Sequence, residues 1–105
     1  MAPRKPEECK DMEDVRAEID RIDAELVDRI GERFAYVDRA WHLKQSPAEA
    51  RVPWRIQQVI DRVRARAAEQ GLPPELAEAL WRQMIGWFIQ YEEEKLRQQH
   101  ENREE

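Results

Sequence analysis

This sequence predicts an all-α fold: a three-helix subunit with a very long first helix, paired with a second copy in an intertwined homodimer. Three observations carry that reading. Helix breakers cluster at only three places, Pro3 and Pro6 near the start, Ser46-Pro47 with Pro53 in the middle, and Gly71 with Pro73-Pro74 beyond. Between these clusters apolar residues return at three- and four-residue steps, the spacing of one helix face. No stretch carries a strand signal worth keeping.

The first helix is expected from about Met12 to about Lys44, its stripe made by Val15, Ile19, Ile22, Leu26, Ile30, Val37 and Trp41. The second is expected from about Pro53 to Gln70 on Ile56, Val59, Ile60, Val63 and Ala67, with Gly71 placed for a left-handed cap. The third starts near Pro74 and carries Leu80, Trp81, Met84, Ile85, Phe88 and Leu96; the closing QQHENREE is polar and is expected to fray. Together these make one domain over residues 1–105, with an ordered core at about 7–96. Some 33 residues at a 1.5 Å rise make a rod of roughly 50 Å. A compact chain of 105 residues measures only about 35 Å across. The first helix therefore overhangs its own fold, and its stripe would meet water unless a second chain covers it. The alternative is a break near Gly31 and a monomeric bundle. Glycine costs about 1 kcal/mol inside a helix, too little to force that break.

Bulk properties exclude several function classes. A formal net charge of −5 argues against a general nucleic-acid binder, which needs a basic face to displace counterions from phosphates. No run approaches the roughly 18 apolar residues of a membrane span, and the opening MAPRKPEECK lacks a secretory apolar run, so a cytoplasmic protein without membrane partners is expected. The single cysteine, Cys9, has only His42 and His100 for company, at no metal-ligand spacing, so neither an internal disulfide nor a metal is expected.

Charges interrupt the apolar stripes. At 100° per residue, Arg33 and Lys44 fall in the same arc as Ile19, Ile22, Leu26, Ile30 and Val37. Arg16 lies at the border of that stripe, Arg55 at the border of the second helix's. On the third helix Glu92 follows Ile85 by seven residues and Phe88 by four, which puts a carboxyl into an apolar face. Taken singly, any of these cations can lay its stem on apolar surface and keep its head in water, as Arg29 can. Taken together, four inward cations need more anion than Glu92 supplies. A small polyanionic ligand held between helices, its carboxylates forked by arginines, completes the balance.

Arg16 in DVRAEIDRID, Arg33 in GERFAYVDRAWHLK, Lys44 at the end of that segment, Arg55 in the next helix and Glu92 in the last resemble the all-helical chorismate mutase family, including its isochorismate pyruvate lyase branch. The similarity runs from about Glu7 to about Leu96. PEECKDMEDVRAEIDRID resembles the lyase branch, and WRQMIGWFIQYEEE resembles stand-alone bacterial mutases. The resemblance implies an interlocked dimer with two sites that converts chorismate to prephenate without a cofactor. It implies that Arg16, lent by the partner chain, grips one carboxylate of the dianionic substrate and Arg33 the other. Lys44 would touch a carboxylate and the ether oxygen, Glu92 would face that oxygen from the third helix, and Arg55, Ile85 and Ile89 would complete the binding surface.

Two positions depart from the family pattern. Many relatives have glutamine where this chain has Glu92, and only a protonated carboxyl can donate to the ether oxygen. Several mutases carry, where this chain has Ile56, a glutamate for the ring hydroxyl; lyase relatives have an aliphatic residue there. Cleavage of isochorismate to salicylate and pyruvate is thus the alternative activity. A non-catalytic helical dimerisation module is a second alternative, whose mark would be a missing cation cluster. The loop from Ser46 to Val52, beside Lys44, is placed to act as a lid.

Overall fold

The computed structural model describes residues 2–104. Three α-helices and two single 3-10 turns make up the described chain: a turn at Pro6–Glu8, α1 at Met12–Leu43, a turn at Pro47–Ala50, α2 at Pro53–Glu69 and α3 at Pro74–Glu104. The fold is all-α, as predicted, and α1 passes through Gly31 without a break. Among the described residues no helix is long and apolar enough to cross a membrane. The chain divides into two compact units, Met1–Tyr36 and Val37–Glu105, which are taken in turn.

In the first unit, α1 starts on a cap. Asp11 Oδ1 accepts the Asp14 N–H at 2.9 Å, satisfying one of the four amide donors that a helix start leaves unpaired, and Asp14 in return accepts the Lys10 N–H at 3.0 Å. The residues before the cap are tied to the helix by the Arg4 N–H, which donates to Glu18 at 2.8 Å. Glu18 also accepts from Arg21, and these two partners hold its carboxyl below its ordinary range. No residue of α1 is buried. Ile19, Ile22, Leu26 and Ile30 are 44–54% exposed.

The second unit holds the core. Ala50, Ile89 and Leu96 form a buried cluster, with Trp41, Ile56 and Ile85 packed on it. Ile60 and Leu96 are almost fully enclosed, at 1% exposure each, and burying an aliphatic side chain of that size contributes about 1.5–3 kcal/mol. The turn that supplies Ala50 is itself fixed. Glu49 accepts the N–H groups of Gln45 and Ser46, and the Glu49 N–H donates to Ser46 O at 3.1 Å. Within residues 46–52, the segment placed to act as a lid, Pro47–Ala50 thus form a turn that buries Ala50.

The α2 to α3 connection follows glycine chemistry. Gly71 takes φ +72°, its N–H donates to Ala68 O at 3.2 Å, and the Leu72 N–H reaches Ala67 O at 2.9 Å. That is the paired closure of a Schellman cap, as the sequence predicts. Glu78 on α3 then accepts from Arg64 on α2 at 2.8 Å and from Arg82 on its own helix at 2.6 Å. The helix α3 runs on to Glu104, through the described part of the polar stretch QQHENREE, whose last residue lies outside the described residues. Arg97 and Gln98 both donate to Glu94, at 2.6 and 3.2 Å, and such pairs support a helix without apolar contacts.

Candidate active site

Lys44 and Glu92 meet in the second unit. Lys44 is the first residue past α1, where its N–H is held by Trp41 O at 3.2 Å. Glu92 sits on the face of α3 that carries Ile85, Ile89 and Leu96, and at 6% exposure it is the buried charged residue among the described residues. Carboxylates are rarely buried without a partner, because desolvation is costly. Here the partner is Lys44, whose ammonium donates to Glu92 Oε2 in a close ion pair. Lys44 keeps a quarter of its side chain exposed, so the pair lies at the edge of the apolar cluster, with one face toward solvent.

The remaining candidates are distributed unevenly. Ile89 is buried and Ile85 half-buried in the cluster next to this pair. Arg55 is on α2 in the same unit, but it is exposed and donates to Gln58 on its own helix at 2.6 Å. Arg16 and Arg33 belong to the first unit, Arg16 exposed and Arg33 half-buried. Lys44, Glu92, Ile85 and Ile89 are thus brought together within the second unit. Ile56, the aliphatic residue after Arg55, packs on the same cluster.

Sequence reasoning missed a neighbouring group. Asp38 Oδ1 accepts two hydrogen bonds, from Trp41 Nε1 at 2.8 Å and from the Tyr91 hydroxyl at 2.7 Å. The Tyr91 and Trp41 donors hold the Asp38 carboxyl below its ordinary value. The same bond, together with burial, pushes the Tyr91 hydroxyl up. Lys95 lies over the Tyr91 ring, 5.6 Å from its centre. The helical spacing of Asp38 and Trp41, three residues apart, is readable in the sequence; the tyrosine 53 residues away is not.

The profile of the chorismate mutase type II family matches residues 15–93. The chain belongs to that family. The match takes in most of α1, all of α2 and α3 as far as residue 93, and it includes Arg16, Arg33, Lys44, Arg55, Ile85, Ile89 and Glu92. Over 84 residues the chain is 37% identical to the isochorismate pyruvate lyase of Pseudomonas aeruginosa, an alignment covering 80% of this chain and 83% of the relative. Family membership makes the chain an enzyme of the chorismate mutase family.

Proposed function

We propose that the protein is a chorismate mutase that acts in the cytoplasm as an intertwined, single-domain homodimer. The observation that supports this reading is the Lys44–Glu92 pair, a cation and a carboxyl set side by side at the edge of an apolar cluster. The reaction is intramolecular: one carbon–oxygen bond of the enolpyruvyl ether breaks while a carbon–carbon bond forms, and no atom enters or leaves. Two tasks remain for the protein. One is to hold a flexible dianion in its compact reactive shape; the other is to stabilise the negative charge that grows on the ether oxygen. Arg33 and the partner copy's Arg16 take the two carboxylates, and Arg55 supports the site from α2. Lys44 turns from Glu92 to the substrate, and Glu92, left beside a growing negative charge, serves as a donor in its protonated form. Ile85 and Ile89 supply the apolar wall.

A second reading is isochorismate pyruvate lyase, which would break the same ether bond and release pyruvate from salicylate. It is favoured by Ile56, which offers no carboxylate to a ring hydroxyl, and by the name of the Pseudomonas aeruginosa relative. Incubation with chorismate and with isochorismate separately, followed by NMR of the products, decides between them. Prephenate is expected from chorismate; salicylate with pyruvate from isochorismate alone would replace the mutase by the lyase. Lys44→Ala and Arg33→Ala are each expected to lower turnover at least a hundredfold while the protein stays folded. Full activity in both variants would reject the assignment.

A further inference from the structure

We propose that Asp38 is a positioning residue for the Lys44–Glu92 pair, fixing the end of α1 against α3 through Trp41 and Tyr91, a role that rests on the reaction proposed above. The contacts close into a ring. Asp38 Oδ1 accepts from the Trp41 indole on one side and the Tyr91 hydroxyl on the other. Trp41 O holds the Lys44 N–H, Lys44 Nζ reaches Glu92, and Glu92 follows Tyr91 in sequence. Every step from Asp38 to the reacting pair is a hydrogen bond, an ion pair or one peptide link.

Lys44 needs such a tether because it stands beyond the last turn of α1, where the helix ladder no longer defines it. A single carboxylate oxygen shared by two donors fixes both rings at once. Trp41 packs on the buried cluster, so its indole has little freedom once the nitrogen is held. Lys95 over the Tyr91 ring adds a positive charge near Asp38, which favours the ionised carboxylate that accepts most strongly. The buried cluster is made by Ala50, Ile89 and Leu96 with Trp41, Ile56 and Ile85 packed on it, so loss of the tether is expected to leave α3 packed and to loosen the pair.

The test uses Asp38→Ala, Asp38→Asn and Tyr91→Phe in the full chain, each verified as folded by circular dichroism. Hydrogen exchange by NMR, with no substrate present, is expected to quicken at the Lys44 amide by about tenfold in Asp38→Ala. Asp38→Asn keeps a carbonyl oxygen that accepts both bonds and is expected to stay near wild type. With whichever acid the wild type turns over, kcat falls about tenfold in Asp38→Ala while KM stays within about twofold, because carboxylate binding rests mainly on the arginines; Asp38→Asn recovers the rate. Tyr91→Phe removes only the α3 donor and should move in the same direction, and it decides the question if Asp38→Ala does not fold. Unchanged Lys44 exchange in a folded variant overturns the tether, and so does an Asn variant as impaired as Ala. If the wild type turns over neither acid yet Lys44 exchange responds as stated, the proposed reaction falls and the tether stands.

Discussion

Lys44 and Glu92 neutralise one another, and a dianion drawing on Lys44 breaks that balance. If Glu92 faces the ether oxygen as proposed, only its protonated form can donate there. Activity is therefore expected to rise as pH falls toward the acid range. Glu92→Gln, which donates at every pH, should give a flat profile; initial rates from pH 4 to 9 for both proteins measure this, and identical profiles would remove Glu92 from the chemistry. These two residues were legible in the sequence because an isolated cation and an isolated carboxyl interrupt otherwise apolar stripes. Asp38 was not. It falls among other charges on α1, and its importance comes from Tyr91, a partner in another helix that no local spacing indicates.

Helix boundaries follow the punctuation of Pro47, Pro53, Gly71 and Pro74 closely, because proline and glycine act through their own backbone and need no tertiary partner. What the pattern left out is held by side chains: the turn at Pro47–Ala50 by Glu49, and the Arg97–Gln98 stretch of α3 by Glu94. Gly71 offers a clean test. An added Cβ would meet nothing within 4 Å, so Gly71→Ala suffers only the strain of a positive φ, about 1 kcal/mol. Urea unfolding should show a lower midpoint with an unchanged slope. Glu78 tests the contact between α2 and α3. Arg82 and Arg64 hold its carboxyl below the ordinary value of 4.5, as Tyr91 and Trp41 hold Asp38 below 3.8. A depressed carboxylate pKa stabilises the fold fully above the ordinary value, and that contribution disappears as pH falls through the folded value. Melting temperature should therefore drop below about pH 4.5. Glu78→Gln should melt lower at neutral pH and decline less steeply in acid; a wild-type acid profile in this variant would mean that the bridge adds nothing.

The proportion between a 32-residue helix and a 105-residue chain is what leads the sequence to predict a second copy, and the proposed dimer rests on it. Ile19, Ile22, Leu26 and Ile30 each leave about half their surface in water. Covering them yields roughly 1 kcal/mol apiece, which falls short of or barely meets the 4–15 kcal/mol that association costs. A dimer joined through that face alone would be weak. Leu76, Leu80 and Trp87 on α3 are 46–58% exposed as well, and each of them covered in a dimer would add a similar amount. If Arg16 acts in the partner's site, two inactive variants should rescue each other. In a mixed dimer of Arg16→Ala and Lys44→Ala chains, one site receives an intact Arg16 from one chain and an intact Lys44 from the other, while the second site carries both defects. Random exchange makes half the dimers mixed, so co-refolding equal amounts should restore about a quarter of wild-type activity. No recovery, with mixed dimers demonstrated by native mass spectrometry, would place Arg16 in its own chain's site, and a wild type that sediments as a fully active monomer would remove the dimer itself.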